Sequence, residues 1–149
     1  MNQAARMTWI AATVALSASG WPLAVSGGGG DAPPRSDAVV KDLMTRDLTG
    51  SGSQEIRLMT VEYLAGGASL PHRHHAQVFV YVLDGAVRMQ VEGAAPVTLG
   101  PGETYYEGPD DIHVLSANAS QTKPARILVF MIKDKASPVA IPVTPRKPS

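Results

Sequence analysis

Short runs of alternating apolar and polar residues, separated by turns rich in glycine and proline, fill the chain from Glu55 to Ile132. After Gly85, for example, Val87, Met89 and Val91 alternate with Arg88, Gln90 and Glu92, which is the pattern of a strand with one face buried. The chain has 14 glycines and 12 prolines among 149 residues, enough to end many short elements. Seven or eight short strands at regular turn spacing predict an all-β sandwich or barrel.

The same pattern predicts individual elements. Asp84-Gly85 is a common two-residue turn, so residues 77–92 are predicted to form a hairpin. Residues 125–132 form an apolar run interrupted only by Arg126, as expected of a strand covered on both faces. Residues 36–50 fit either a short helix or a strand. The proline-rich tail can form at most an edge strand or an arm.

The N-terminal region predicts export. Arg6 precedes an apolar run from about Thr8 to Ala18, and small residues follow, as in a bacterial signal peptide. The run is too short for a stable membrane span. We therefore expect a signal peptide over residues 1–26, a flexible linker over 27–36, and a single domain with a proline-rich C-terminal arm over 37–149. The mature protein is expected to be periplasmic or secreted.

Charge and cysteine content exclude several function classes. The 13 basic and 13 acidic residues cancel, which argues against nucleic acid as a partner and favours a small molecule. The chain has no cysteine, so it can form neither a disulfide nor a thiolate metal site. Any metal must be bound by histidine and by oxygen ligands.

Three of the four histidines lie within four residues. His72 and His74 are two apart, so on an extended backbone both side chains leave the same face of the strand, while His75 points the other way to solvent. Two imidazoles on one face are a usual start of a site for Zn, Fe, Ni, Mn or Cu.

Two spaced motifs in residues 55–132 resemble those of the cupin superfamily. Gly66, His72, His74 and Gly85 fall on the first cupin motif, and Gly102 and His113 on the second. In the second motif Gly108 stands where proline is usual, Asp110 where glycine is usual, and Asn118 comes one residue late. The resemblance implies a double-stranded β-helix, or jelly-roll barrel, in which His72, His74 and His113 are metal ligands.

The glutamate of the first cupin motif is missing. Its position falls at Val78 or Phe79, neither of which can bind a metal. We predict Gln77 as the fourth ligand, because a bulge can re-aim it and other cupins are known to use glutamine in this role. Glu107 is the second choice, and a three-histidine site completed by water is the third.

The sequence leaves open whether the protein is an enzyme. One hypothesis is a metal-dependent enzyme acting on a small oxygenated molecule, as a dioxygenase, decarboxylase, isomerase or lyase. A second is a non-catalytic module that binds a small ligand or a metal, and a third is a structural dimerisation domain. Cupins are often dimers, so a homodimer is expected, with residues 137–143 as a possible exchanged arm. Four side chains can line a pocket but are more often core or rim: Tyr81, Met89, Tyr105 and Tyr106.

Overall fold

Ten strands in two five-stranded sheets make up the described part of the chain, residues 36–144 of the computed structural model. All their pairings are antiparallel, and no helix occurs between these limits. The predicted signal peptide and most of the predicted linker lie outside the described residues. The strands are β1 (Ala38–Asp47), β2 (Gln54–Tyr63), β3 (His72–Arg73), β4 (Ala76–Asp84), β5 (Val87–Val91), β6 (Val97–Leu99), β7 (Thr104–Glu107), β8 (Ile112–Asn118), β9 (Ala125–Asp134) and β10 (Ile141–Pro142).

The two sheets exchange strands as the chain proceeds. The first has the order β1-β2-β9-β4-β7 and the second the order β10-β3-β8-β5-β6, so from β2 onward the chain changes sheet at every connection except that from β5 to β6. This is the arrangement of a jelly-roll barrel, and the predicted all-β class is confirmed. Within residues 36–144, no helix is long and apolar enough to cross a membrane.

The hydrophobic core lies between the inner faces of the two sheets. The alternation predicted from the sequence is confirmed, since every second residue is buried from Ala76 to Val82 in β4 and throughout β9. Burying a Val, Ile or Met side chain of this kind contributes about 1.5–3 kcal/mol to folding. The buried apolar side chains are Met59, Val61, Tyr63, Ala76, Val78, Val80, Val82, Val87, Met89, Ala125, Ile127, Val129 and Met131.

The predicted hairpin over residues 77–92 is wrong. β4 pairs with β7 and β9, whereas β5 pairs with β6 and β8 in the other sheet. Gly85 has a φ of 71°, and a Cβ there would lie 2.6 Å from the carbonyl oxygen of Pro124. The Asp84-Gly85 turn therefore carries the chain from one sheet to the other. The sequence signal was ambiguous because these two residues suit a sharp corner between sheets as well as a hairpin turn.

The structure settles what forms at the two ends of the domain, where the sequence left a helix or a strand open at one end and an edge strand or an arm at the other. Residues 38–47 form a strand, β1, with a bulge between Asp42 and Met44. β10 lies at the edge of the second sheet and pairs with β3 of its own chain, as a proline-rich strand must. The apolar run of β9 is fully buried on its inner face only. Its outer face is partly exposed, so the expectation that both faces are covered is wrong.

Candidate metal centre

The three predicted histidines meet at one place on the inner surface. His72 on β3 lies directly opposite His113 on β8, so their side chains leave the same face of the second sheet. Their ring centroids are 5.2 Å apart. His74 follows in the link to β4, with its ring 4.8 Å from that of His72. One nitrogen from each residue lies within 4.8 Å of the others, which is close enough to share a metal ion.

Glu107, on the opposite sheet, lies beside these three histidines. It ends β7 and is buried. Its Oε1 lies 3.1 Å from Nδ1 of His113, and its Oε2 lies 3.6 Å from Nε2 of His74. We call His72, His74, His113 and Glu107 the histidine–glutamate cluster.

The position of Glu107 accounts for the missing motif glutamate. Val78, where the motif's glutamate falls, is buried on β4 and is paired directly with Glu107 on β7. Side chains opposite each other in an antiparallel pair share one face, with Cβ atoms about 4.5–5.5 Å apart. The carboxylate therefore occupies the neighbouring strand at the same level of the barrel.

Gln77 is not brought to the histidines, and the sequence-based choice of it as fourth ligand must be corrected. It lies on the outer face of β4 and is exposed, one residue before the inward-facing Val78. No bulge interrupts the pairing of β4 at this point, since the register shift comes only between Val82 and Asp84. His75 is also exposed, as expected, and its Nδ1 lies 3.7 Å from Asp110.

Backbone carbonyls orient two of the imidazoles. Nδ1 of His72 lies 2.6 Å from the carbonyl oxygen of Leu70, and Nδ1 of His74 contacts the carbonyl oxygen of Val139. A carbonyl accepts only, so each Nδ1 carries the proton and donates it. This leaves Nε2 of both rings as a free lone pair, which is the arrangement common among metal-binding histidines.

Burial and neighbouring charges set the protonation states of the cluster. Burial lowers the pKa of His72, which outweighs the hydrogen bond to Leu70, so this ring is neutral at neutral pH. Burial alone raises the pKa of Glu107, but the hydrogen bond with His113 and the attraction of the nearby imidazoles in their protonated form bring its pKa below the usual value. A neutral imidazole beside an ionised carboxylate is the form in which both residues bind metal.

Two buried polar atoms of the cluster have no hydrogen-bond partner within the described chain. These are Oε2 of Glu107 and Nε2 of His113. Leaving such a group unpaired costs about 1–3 kcal/mol, and more for a charged one. An ion bound by the three histidines, next to the carboxylate, would reduce that cost, and three imidazoles beside one carboxylate suit a borderline divalent transition metal. The residues present therefore fit a metal ion.

An apolar cavity of about 260 Å³ opens beside the cluster. Its walls are mostly valine, methionine and other apolar residues of both sheets. Of the four predicted pocket candidates, Met89 lines the cavity, and Tyr105 stacks on His113 with ring centroids 6.3 Å apart. Tyr81 and Tyr106 are exposed on the outer face of the first sheet instead.

A second polar group lies in the cavity wall, and the sequence analysis missed it. The hydroxyl of Tyr63 lies 2.5 Å from Oγ of Ser116 and 3.2 Å from Oγ of Ser69. We call these three residues the hydroxyl cluster. Strand alternation places Tyr63 inward, but Ser116 is three residues after His113, so a regular strand would put the two on opposite faces. A bulge at Val114 brings both inside, and the sequence carries no signal for it.

Comparison with known proteins identifies the domain. Residues 59–131 match the family model described as "Cupin domain". No curated protein matches the chain. Among solved structures, the DMSP lyase DddQ from Ruegeria pomeroyi is similar with a TM-score of 0.58 and 21% identity, over 75% of this chain and 54% of that one.

Two further structures are similar at the level of the fold. A recombinant oxalate oxidase in complex with glycolate has a TM-score of 0.54 and 19% identity, over 66% of this chain and 52% of that one. A cupin-2 domain protein from Rhodospirillum rubrum has a TM-score of 0.56 and 17% identity, over 73% and 67%. The chain thus spans about half the length of the lyase and the oxidase.

The family match covers β3 to β8 with most of β9 and part of β2, and it includes all four members of the histidine–glutamate cluster. The two motifs, the two-sheet barrel and the converging histidines agree with it. Residues 59–131 form a domain of the cupin superfamily.

Proposed function

We propose that this cupin is a metal-dependent enzyme that acts on a small oxygenated organic molecule. The observation that carries the proposal is the histidine–glutamate cluster, with its two unpartnered buried atoms, in the wall of a cavity large enough for a small ligand. His72, His74 and His113 would hold the ion, with the carboxylate of Glu107 beside them. A bound divalent metal supplies a Lewis acid for an oxygen atom of the substrate, or a centre for O₂ chemistry if it is Fe, Mn, Ni or Cu.

The chain's own residues supply orientation and exclusion of water. The carbonyls of Leu70 and Val139 hold His72 and His74 with their Nε2 atoms free. Glu107 adds a negative charge beside the three imidazoles. The apolar walls reduce the number of water molecules around a bound substrate, which strengthens every electrostatic interaction in the site.

The test combines metal analysis with turnover. Purified full-length protein without a histidine tag is analysed for bound metal as isolated and after incubation with Zn, Mn, Fe or Ni. Each loaded form is then assayed for O₂ consumption and for product formation from organic acids, sugars and phenols. We expect near-stoichiometric metal and turnover of at least one compound. Protein that takes up no metal under any of these conditions would contradict the proposal.

A non-catalytic binding module is the second candidate. It is favoured by the missing motif glutamate, since Val78 stands at that position, and by the hydroxyl cluster, which offers neutral groups that can bind a ligand without reacting with it. Ligand-induced thermal shifts without turnover in any metal-loaded form would decide for this candidate.

Export is proposed on sequence grounds alone, since residues 1–26 lie outside the described residues. Expression of the full chain in a bacterial host, followed by fractionation and N-terminal sequencing, should find a processed protein in the periplasm or medium. Unprocessed protein retained in the cytoplasm would contradict export.

The homodimer also stays a prediction. Ile141 and Pro142, the core of the proposed arm, pair with β3 of their own chain in the structure. In a dimer with exchanged arms, β10 of one chain would pair with β3 of the other chain instead of with its own β3. Light scattering on the purified protein measures the mass directly, and a monomer at all concentrations would contradict the prediction.

A further inference from the structure

The cavity has two polar regions of different character. The histidine–glutamate cluster can hold a metal, whereas the hydroxyl cluster offers only neutral hydroxyl groups. The rest of the cavity wall is mostly apolar, with side chains such as Val78, Val129 and Met131. A ligand that fills this space must be apolar along most of its length.

The charge of the cavity limits the charge of its ligand. Glu107 is the single carboxylate among the cavity-lining residues of the described chain, and none of those residues is lysine or arginine. The buried Lys133 does not line the cavity. Its Nζ donates to Oε1 of Glu55 at 2.8 Å and to the carbonyl oxygen of Asp134 at 2.8 Å.

The charges of the occupied site sum to a small positive value. A divalent metal, three neutral imidazoles and one carboxylate leave a net charge of one positive unit, since bound histidines must be neutral. One anionic group on the ligand neutralises that charge. A second anionic group would lie against apolar side chains without a cationic partner, which is strongly unfavourable.

We propose that the cavity selects a predominantly apolar molecule with one anionic oxygen group, bound at the metal, and one hydroxyl or carbonyl group, bound at the hydroxyl cluster, and that it rejects dianions. This inference rests on the proposed metal site and adds the substrate class to it.

The hydroxyl cluster has hydrogen-bonding capacity left for such a group. Three hydroxyls carry three protons and six lone pairs, and the contacts of Tyr63 with Ser69 and Ser116 use two of each. Oγ of Ser116 also lies 3.5 Å from Sδ of Met89, a weak acceptor. Burial raises the pKa of Tyr63, so its phenol keeps its proton at neutral pH and remains a donor.

The proposed preference for monoanions over dianions is tested with hexanoate and adipate, which share a six-carbon chain and differ by one carboxylate. Their binding to full-length protein loaded with Zn or Mn is measured by calorimetry. We expect hexanoate to bind at least about tenfold more tightly than adipate, because only adipate buries an unpaired charge. Adipate binding equal to or tighter than hexanoate binding, or no hexanoate binding by metal-loaded protein, would overturn the inference while the metal site stands.

The role of the hydroxyl cluster is tested with ω-hydroxy acids of four to six carbons, each compared with its unsubstituted parent. We expect at least one hydroxy acid to bind about fivefold more tightly than its parent, and Tyr63→Phe to abolish that preference without changing metal content. Ser116→Ala should reduce the preference, and Tyr81→Phe, on the outer face, should leave it intact. No preference at any length, or one that survives Tyr63→Phe, would overturn this part.

Metal content distinguishes failure of the proposed function from failure of the proposed substrate class. Protein that takes up no metal overturns the proposed function and the inference together. Protein that takes up metal stoichiometrically but fails either ligand test keeps the metal site and loses only the proposed substrate class.

Discussion

Two polar clusters lie in one apolar cavity, and they satisfy their hydrogen bonds in different ways. In the histidine–glutamate cluster, Oε2 of Glu107 and Nε2 of His113 are buried without a partner in the described chain. In the hydroxyl cluster, Tyr63 and its two serines bond to one another. The first cluster therefore gains from a bound ion, whereas the second is already stable without a ligand.

This difference separates residues that bind from residues that select. Oε2 of Glu107 and Nε2 of His113 are buried without a hydrogen-bond partner in the described chain, and a bound ion would reduce that cost. A set of neutral hydroxyls has no such cost and adds affinity only for ligands that present a matching polar group. Substitutions in the two clusters should therefore affect different measurements.

The largest expected effect is loss of metal from the first cluster. His72→Ala and His113→Ala should each remove most of the bound metal, since each takes one of three nitrogen donors that lie within 4.8 Å of one another. His75→Ala is the matched control, because His75 is exposed and turned away from the site. Elemental analysis of the three purified variants measures the occupancy. Equal losses in all three would contradict the assignment of His75 to the outer side.

Metal should also stabilise the fold in a way that depends on the same histidines. For metal-free protein, an ion present at about 1,000 times its dissociation constant raises the free energy of unfolding by about 4 kcal/mol. Denaturant unfolding with and without metal measures this increase. His72→Ala should lose nearly all of it, while Tyr63→Phe should keep it. A similar loss in Tyr63→Phe would mean that the two clusters do not act separately.

The role assigned to Glu107 can be tested by removing its carboxylate from β7 and placing a glutamate at Val78, the directly paired position on β4. Glu107→Val should weaken metal binding by about 10–100-fold, and adding Val78→Glu should restore most of it, because the two positions are directly opposite on one face. Adding Val80→Glu instead is the control, since Val80 lies opposite Tyr105. Metal titration of the three variants measures the affinities. Rescue by both second substitutions, or by neither, would contradict the claim that a carboxylate at residue 107 and one at residue 78 reach the same site.

The sequence predicted the barrel and the three histidines well, for physical reasons. Strand alternation indicates which residues face the core, so the pattern alone places Val87 and Met89 together on one face, and both are buried. The spacing of His72 and His74 likewise places them on one face. That His113 joins them came from the family motif, since the pairing of β3 with β8 links positions far apart in the chain.

The fourth member of the cluster could not be predicted from spacing along one strand. Gln77 was chosen because it is close in sequence to the motif position, but Glu107 is close in space, on a strand that pairs with β4. The hairpin over residues 77–92 was wrong for a related reason, since pairing partners are set by the whole barrel and not by the turn at Gly85. Both errors concern contacts between distant strands.

The smallest expected effect comes from the hydroxyl cluster. Tyr63→Phe removes hydrogen bonds to Ser69 and Ser116 but keeps the buried ring, so the free energy of unfolding should fall by about 1 kcal/mol. Tyr81→Phe is the matched control, because Tyr81 is 45% exposed and water can replace its hydrogen bonds. Denaturant unfolding of both variants without metal measures the difference. A decrease of more than about 3 kcal/mol in the free energy of unfolding of Tyr63→Phe would mean that the hydroxyl cluster is a main source of the barrel's stability. Its primary role would then be structural, and ligand selection would be secondary.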